Sequence, residues 1–450
     1  MNAFYYHSPY WLKKVLASLG AYQKKREKYG KYFQQYFQFL INSQVDQQIS
    51  RAEEEMHTFL KWVKQNIPVY DVPPDFGLSK MPVIDKSWLL KNYTQLTKTK
   101  PFKAVKSSGS TGQPLTVPYN IQSYQKEYAF WWYHRSFGKV RIGERIATFS
   151  GHKVTHIERN VPPFWVMNYA ENQLIFSSYH LSTKNLKFYI SQLKKFKPHL
   201  IHGYPSSVYL LAKYILENNI RLEFQPKMII TASETTLDFQ KQIIETAFGC
   251  KNYIWYGNTE YAGHITECTE GKLHVQPYHS HVRIVNAEGK DVVPGEEGFI
   301  VATNFTNTAF PLINYNTKDI VRLSKNQQCS CGKGGTIVDY IIGRIEDYII
   351  TPDGRYVGRL DHLFKDAKYV RSAQLEQRKV NELIIRIEKE DGYSSKVEST
   401  ILKEARKRLG NDMEILFEYV SEIPREQNGK FKFIIQRMNV KDLKLEKVVL

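Results

Sequence analysis

The 450-residue sequence has few cysteines, no long apolar run and no recognisable export signal. Four cysteines are too few in a chain of this length for a disulfide framework, so we expect a reducing compartment. No run of 18 or more apolar residues occurs, so no membrane-spanning helix is expected. The N-terminus lacks a basic segment followed by an apolar one, so no signal peptide is predicted. We therefore expect a cytoplasmic protein of two or three domains.

The charge is strongly basic, with a formal net charge of +18. Such a balance suits nucleic acid, an anionic membrane or anionic substrates. No nucleic-acid-binding motif accompanies it, so we expect no nucleic-acid partner. The densest lysine cluster lies between Lys13 and Lys31. This segment fits either an amphipathic helix in peripheral contact with the inner face of a membrane or a solvated surface helix.

A hydroxyl-rich loop lies between two β-prone runs, 102–105 and 115–119. It reads Ser107, Ser108, Gly109, Ser110, Thr111 and Gly112. Its glycines allow backbone conformations that a Cβ would forbid, and converging N–H groups suit a phosphate. The same residues are common in polar hairpin turns. The loop lacks the lysine of a Walker-type phosphate loop, which excludes that class of site.

The elements predict an α/β fold followed by two smaller parts. Residues 1–70 form a helical N-terminal segment, and strands and helices alternate from about 184 to 257, which indicates a parallel sheet. Ligands bind at the carboxyl ends of such strands. Three segments follow predicted strands there: His202-Gly203-Tyr204-Pro205, Ala232-Ser233-Glu234, and Tyr256-Gly257-Asn258-Thr259-Glu260. Residues 274–325 are β-rich, and the remainder is a small α+β unit.

Five motifs stand in one order along the chain, and this order carries a resemblance to a known superfamily. They are Ser107–Gly112, Tyr256–Glu260, Tyr315–Asp319, Gly343-Arg344 and Gly429-Lys430. The chain resembles the adenylate-forming, or acyl-activating, superfamily. Within it, the chain is similar to the phenylacetate–CoA ligase branch and its CapK-type relatives from capsular polysaccharide biosynthesis. Each motif alone is a weak signal, whereas five in order are specific.

The resemblance implies a fold, a domain division and a reaction. The fold would be a large N-terminal domain with parallel sheets and a β-rich subdomain, residues 1–343, and a small mobile α+β lid, residues 344–450. The reaction would use ATP and Mg²⁺ to convert a carboxylic acid to an acyl-adenylate, then pass the acyl group to CoA or to a sugar amine or hydroxyl. A catalytically degenerate nucleotide-binding or scaffold protein of a polysaccharide assembly system is the alternative.

The resemblance also implies residue roles. The loop at 107–112 would hold the ATP phosphates, Glu260 would hold Mg²⁺, and Thr259 would contact the α-phosphate. Tyr256 would stack on the adenine, and Ser233 and Glu234 would lie at the adenine edge. Gly257 and Asn258 would also belong to the nucleotide-binding residues. Asp319 and Arg344 would bind the ribose, and Lys430 would bridge the attacking carboxylate and the α-phosphate. His202, Gly203, Tyr204 and Pro205 would lie near the acyl pocket.

Three cysteines and a histidine suggest a metal site. Cys268, His274, Cys329 and Cys331 fall where some members of the branch carry zinc, and a Cys3His set suits tetrahedral zinc. The C-x-C spacing is tighter than usual, and His264, His279 or His281 are alternatives to His274. Free cysteines in a β-rich core are the other interpretation. Four protein ligands would leave no open position, so such a zinc would be structural.

Overall fold

A computed structural model of the chain describes most of its residues. The described ranges are 5–6, 8–106, 115–152, 154–156, 158–182, 184–344, 349–352, 356–357, 360–364, 367–426 and 431–438. The predicted phosphate loop at 107–112 and Lys430 lie outside these ranges.

The N-terminal segment is helical, as the sequence predicts. Its three long helices are α1 (Tyr10–Lys28), α2 (Lys31–Asn42) and α3 (Val45–Asn66). Two short helices, α4 (Lys86–Lys91) and α5 (Tyr93–Leu96), follow. In α2, Phe33, Tyr36 and Leu40 recur at helical spacing, and all three are buried. Within the described residues, no helix is long and apolar enough to cross a bilayer.

The longest central helix is α6 (Ile121–Phe137), which begins after the N-cap residue Asn120. The side chain of Asn120 accepts a hydrogen bond from the Ser123 N–H at 2.7 Å, which satisfies one free donor of the first turn. The helix is buried on nearly every side, because the aromatic N-terminal helices cover one face and the sheet covers the other. Its aromatic side chains contribute to the core: Tyr124, Trp132 and Tyr133 are buried.

A single sheet of twelve strands forms the body of the protein. Its strand order is β11-β12-β13-β14-β10-β9-β8-β7-β6-β3-β5-β4. The strands are β3 (Ile146–Ser150), β4 (Trp165–Asn168), β5 (Gln173–Ser177), β6 (Leu200–Gly203), β7 (Met228–Ala232), β8 (Asn252–Tyr256), β9 (Ile265–Glu267), β10 (Leu273–Val275), β11 (His281–Val285), β12 (Glu297–Asn304), β13 (Leu312–Leu323) and β14 (Ile337–Arg344). The contiguous strands β8, β7, β6, β3 and β5 are parallel. The β-rich part is therefore continuous with the parallel part.

Helices cover the parallel strands. They are α7 (Leu186–Phe196), α8 (Pro205–Glu217) and α9 (Asp238–Phe248). Pro205 stands at the first helical position of α8, where its missing N–H costs nothing. Gly249 ends α9 in the left-handed conformation, with φ of 67°.

A separate hairpin flanks the predicted phosphate loop. Its strands β1 (Lys103–Lys106) and β2 (Thr116–Tyr119) are antiparallel, with Val105 opposite Val117. Residues 107–114, which lie outside the described ranges, stand between these two strands in the sequence.

The C-terminal part has a sheet and a hydrophobic core of its own. It contains β15 (Ile349–Ile350), β16 (Tyr356–Val357), β17 (Val370–Lys379), β18 (Glu382–Lys389), α10 (Ser395–Leu409), β19 (Glu414–Tyr419) and β20 (Ile434–Gln436). Its four-stranded sheet has the order β19-β18-β17-β20. The apolar face of α10 is buried at Ile401, Ala405 and Leu409, against this sheet. The division at 343/344 stays a prediction, and β14 ends at that point.

Candidate functional site

Three of the predicted site segments meet at one edge of the sheet. The strands β6, β7 and β8 are parallel neighbours, with Gly203 opposite Thr231 and Ala232 opposite Trp255. The residues that follow them therefore emerge side by side. Glycine is required at the end of β6, because a Cβ on Gly203 would lie 2.5 Å from the carbonyl oxygen of Phe149.

Tyr256 and the predicted ribose pair lie together. The Tyr256 hydroxyl donates a hydrogen bond to Oδ2 of Asp319 at 2.6 Å. Burial, followed by the neighbouring Asp319 carboxylate, raises the pKa of Tyr256 well above its usual value. Asp319 stands directly opposite Arg344 across the β13–β14 ladder. The structure brings these three positions together, and their roles toward a nucleotide stay predictions.

The hairpin that carries the hydroxyl-rich loop is anchored beside Glu260. The Tyr119 hydroxyl donates to the carbonyl oxygen of Thr259. Its ring stacks on Tyr261 with centroids 4.4 Å apart. Burial, followed by the nearby Glu260 carboxylate, raises the pKa of Tyr119. Glu260 is itself buried, so the strand after the loop lies against the predicted metal-binding carboxylate.

Asn258 organises the turn that holds Thr259 and Glu260. Its side-chain oxygen accepts a hydrogen bond from the Ala262 N–H at 2.9 Å, and its amide donates to the Ala262 carbonyl. Both ends of the turn are thus fixed by one side chain. Gly257 precedes it directly, at the end of β8.

The C-terminal part contacts the same sheet edge through Glu234. The carboxylate of Glu234 accepts hydrogen bonds from the backbone N–H of Ser206 at 3.2 Å and of Phe431 at 2.7 Å. Arg425 donates to Oγ of Ser206 at 2.9 Å. Burial raises the pKa of Glu234, and the Arg425 guanidinium opposes that rise. Phe431 directly follows Lys430 in the sequence, so the chain beside the predicted catalytic lysine is bonded to this edge.

Ser233 adopts a left-handed conformation, with φ of 70°. This is uncommon for a residue with a Cβ and is found mainly at turns and functional sites. It turns the chain directly after β7, which presents Glu234 to the backbone N–H groups of Ser206 and Phe431.

The four predicted zinc ligands converge. The Sγ atoms of Cys268 and Cys329 are 3.8 Å apart, and Sγ of Cys331 is 3.6 Å from Nε2 of His274. All four ligand atoms lie within 4.8 Å of one another. A tetrahedral zinc with bonds of about 2.3 Å to sulfur and 2.05 Å to nitrogen requires separations of about 3.8 Å and 3.6 Å. The donor set and its spacing therefore fit zinc, and they select His274 among the histidines that the sequence left open.

Two of the alternative histidines belong to a different cluster. His264 and His279 lie with Glu127 in the core beside α6, their ligand atoms also within 4.8 Å. His279 shares a hydrogen bond of 2.7 Å with Glu127, and Trp131 donates to the same carboxylate at 2.9 Å. The third alternative, His281, begins β11.

His202 of the predicted acyl-pocket segment lies next to α6. Its ring is 5.5 Å from the Trp131 ring, measured between centroids. Burial, followed by the neighbouring Arg135 charge, lowers the pKa of His202 to about 3, so the imidazole is neutral at physiological pH. Tyr204 accepts a hydrogen bond at its hydroxyl from the Gly151 N–H at 3.0 Å, which ties the end of β6 to the loop after β3.

The sequence analysis did not single out Arg135, Arg425 or the Glu127–His264–His279 cluster. Arginine and glutamate are common on helices and loops, and no spacing marks a contact between residues that are distant in the chain. Only the position of Arg425 within the loop before Lys430 gave a signal.

Comparison with known proteins identifies the relatives. Residues 349–437 match the model of the CapK C-terminal domain. The chain is 27% identical to Protein CapK of Staphylococcus aureus over 458 aligned residues, which cover 97% of this chain and 100% of that protein. This chain is a homologue of CapK. The resemblance is thereby confirmed.

Phenylacetate-coenzyme A ligases are also homologous. Those of Aromatoleum evansii and Pseudomonas putida are 26% and 24% identical to this CapK homologue. The alignments cover 59% and 66% of this chain and 64% and 70% of the ligases. The chain thus spans about two thirds of their length.

Solved structures show the fold. A 2-hydroxyisobutyryl-CoA ligase in complex with 2-HIB-AMP matches with a TM-score of 0.60 at 14% identity, over 96% of this chain and 91% of that one. An anthranilate CoA ligase in complex with anthranoyl-AMP matches with a TM-score of 0.52 at 15% identity, over 73% and 64%. The CapK homologue therefore has the fold of adenylate-forming ligases, as predicted.

Proposed function

We propose that this protein activates a carboxylic acid as an acyl-adenylate and then transfers the acyl group. The carboxylate oxygen would attack the α-phosphorus of ATP, forming the acyl phosphate bond and releasing pyrophosphate. A nucleophile on an acceptor would then attack the acyl carbon and release AMP. The homology to phenylacetate-coenzyme A ligases supports this reaction class.

One observation carries the proposal: four elements that are distant in sequence converge on one edge of the sheet. The Tyr256–Asp319 pair, the Thr259–Glu260 turn and Glu234 all lie there. The backbone N–H of Phe431, next to Lys430, is bonded to Glu234. A site built from parts of two units is what a nucleotide and a second substrate require.

The charges at this edge suit the chemistry. Two anions, a carboxylate and a phosphate, must approach each other, so catalysis depends on groups that neutralise the charge in the transition state. Glu260 is a buried carboxylate, the oxygen donor that Mg²⁺ prefers, and it would hold the ion; bound Mg²⁺ would neutralise phosphate charge. Lys430 would supply an ammonium on the loop that Arg425 and Phe431 hold. Asp319 would accept from ribose hydroxyls.

The acceptor is the finer part of the proposal. The homology to CapK favours a polysaccharide precursor with an amine or hydroxyl, in cell-surface biosynthesis, and CoA is the other acceptor to test. Incubation of the preformed acyl-adenylate with CoA and, separately, with amino sugars would distinguish them by the product mass.

The test of activation is pyrophosphate exchange into ATP with a panel of carboxylic acids. Lys430→Ala should abolish exchange, and Lys432→Ala, two residues along, is the matched control and should retain it. Exchange that survives Lys430→Ala unchanged would remove this lysine from the mechanism.

The alternative is a catalytically degenerate nucleotide-binding or scaffold protein of a polysaccharide assembly system. The approach of Tyr256, Asp319 and Glu260 to one edge argues against loss of function. Calorimetry with ATP and Mg²⁺, followed by the exchange assay, separates the cases. Nucleotide binding without pyrophosphate exchange for any acid would favour a degenerate nucleotide-binding protein. The absence of both nucleotide binding and exchange would favour a scaffold protein.

We further propose that helix α1 makes the peripheral membrane contact. Trp11, Val15, Leu19 and Tyr22 recur every three to four residues and are each exposed, so they share one outward face. Lysines stand near this face, as anionic headgroups require. Co-sedimentation should show binding to anionic but not zwitterionic vesicles, with loss in Leu19→Glu. Equal recovery of this variant and the wild type with anionic vesicles would contradict the proposal.

A further inference from the structure

Four basic side chains from separate elements lie near the predicted acyl-pocket segment. They are Lys28 at the end of α1, Arg135 on α6, His152 after β3, and His202 on β6. The Trp131 ring lies 5.2 Å from Cζ of Arg135 and 5.5 Å from the His202 ring, and Arg135 interacts electrostatically with Lys28, as His152 does with His202. We name this set the Arg135 cluster. Strands β3 and β6 are parallel neighbours, with Thr148 opposite His202, so the cluster lies at the same sheet edge as the site.

Arg135 is buried without a carboxylate partner. It is only 7% exposed. Its Cζ atom lies 5.2 Å from the Trp131 ring and 4.8 Å from the Trp132 ring. No carboxylate among the described residues lies within salt-bridge distance of the guanidinium. Within the described residues, the contacts of its charge that the structure shows are with these two indole rings.

The nearest acidic residue is already engaged. Glu171 forms an ion pair with Lys28 at 3.0 Å and accepts a hydrogen bond from the Tyr29 hydroxyl at 3.2 Å. Glu171 attracts Arg135 only from a greater distance. One carboxylate thus serves both the half-buried Lys28 and the buried Arg135, and the cluster keeps an excess positive charge.

The magnitudes argue that this excess has a use. A buried charge without a partner costs several kcal/mol. Cation–π contacts return about 0.5–2 kcal/mol, which does not offset that cost. The charge of a bound anion would offset this cost.

The remaining members are suited to an anion that enters from solvent. Burial, followed by the Arg135 charge, lowers the pKa of His202, so its neutral imidazole can donate one hydrogen bond. His152 is exposed and His202 is half-buried, so the cluster is open to solvent on this side.

We propose that the Arg135 cluster binds a second anionic group of the acid substrate, a carboxylate or a phosphate, at the end remote from the carboxylate that is activated. This inference rests on the proposed function and narrows it: the substrates are acids with two acidic groups. A guanidinium and a neighbouring ammonium recognise either group through charge-assisted hydrogen bonds.

The experiment is pyrophosphate exchange with three matched series of acids: monocarboxylates, α,ω-dicarboxylates and phosphorylated hydroxy acids of equal chain length. The full-length wild type is compared with Arg135→Gln and with Arg141→Gln, an exposed arginine just beyond the same helix. Mass spectrometry of the acyl-AMP formed from a cell-extract acid pool identifies the acyl group without a choice of panel. Circular dichroism confirms that the variants fold.

We expect the wild type to prefer a dianionic series, and the acyl-AMP from the extract to carry a second acidic group. Arg135→Gln should lower kcat/KM for that series by about 30-fold or more, as for loss of a buried charge partner, and leave monocarboxylates and the Arg141→Gln control little changed. Preference for one dianionic series distinguishes carboxylate from phosphate. If Arg135→Gln does not fold, the test is whether the acyl-AMP that the wild type forms from the extract carries a second acidic group. A monoanionic acyl group, or an equal loss for all three series, overturns this inference and leaves the proposed function standing. No acyl-AMP from any acid overturns both.

Discussion

Removing one cysteine from the Cys268–His274–Cys329–Cys331 cluster is predicted to release a zinc ion and destabilise the protein. The ligand atoms stand 3.8 Å and 3.6 Å apart, the edges of a zinc tetrahedron. Cys268 and Cys329 are 61 residues apart in the sequence. Treated as a cross-link of the unfolded chain, a loop of this length contributes roughly 4 kcal/mol.

The chain provides its own control. Cys250, the remaining cysteine of the chain, is half-buried and lies outside the cluster. We expect about one zinc per chain in the wild type and in Cys250→Ser by elemental analysis, and almost none in Cys329→Ser. Urea unfolding should place Cys329→Ser roughly 4 kcal/mol below the wild type and Cys250→Ser within about 1 kcal/mol of it. A chelator should lower the stability of the wild type toward that of Cys329→Ser.

Two results would refute this reasoning. The first is a wild type purified without chelator that contains no zinc and gains no stability when zinc is added. The second is an equal loss of stability in Cys329→Ser and Cys250→Ser, because that would mean the two thiols act only as small apolar side chains.

Three further predictions concern stability, each measured by urea unfolding. Tyr256→Phe removes a charge-assisted hydrogen bond and should cost about 1.5–3 kcal/mol, whereas Tyr253→Phe in the same strand should cost less; equal costs would contradict this. Gly203→Ala, whose Cβ would overlap a backbone oxygen, should lower the free energy of unfolding by about 1–3 kcal/mol. Gly20→Ala, with open space around it in α1, should raise the free energy of unfolding by about 0.5–1 kcal/mol. The opposite order of stabilities would contradict the backbone geometry. Burial lowers the pKa of Lys126 to about 8. Between that pH and about 10.4, the unfolded chain therefore binds one proton more than the folded chain, and the stability of the wild type relative to Lys126→Met should rise with pH. A stability difference that does not change with pH over this window would contradict the prediction.

Local signals in the sequence predicted most of the elements. Asn120 caps α6 and Gly249 ends α9, and residues of these types are typical of such positions. Periodicity and caps act within a few residues, so they can be read from the chain. The continuity of the parallel and antiparallel strands in one sheet could not be read, because strand pairing is a contact between distant residues.

The residues of the candidate site could likewise be predicted only in part from the sequence. The motif order led to Tyr256, Asp319 and Glu260, and the structure brings them to one edge. The hydrogen bonds that hold Glu234 to the C-terminal loop, and the buried charge of Arg135, depend on tertiary contacts that no spacing encodes. The phosphate-loop and Lys430 predictions fall outside the described residues and stay predictions.

The sheet order has a practical consequence for work with this protein. Cys268 directly follows β9, and Ile265 of that strand is paired with Tyr256 of β8, so the metal cluster and the nucleotide edge share one pair of hydrogen-bonded strands. If this edge binds ATP as proposed, metal-free or oxidised preparations should show an altered ATP affinity, even though every residue at that edge is intact. Zinc content should accompany each binding measurement, and buffers with strong chelators or peroxide should be avoided during purification.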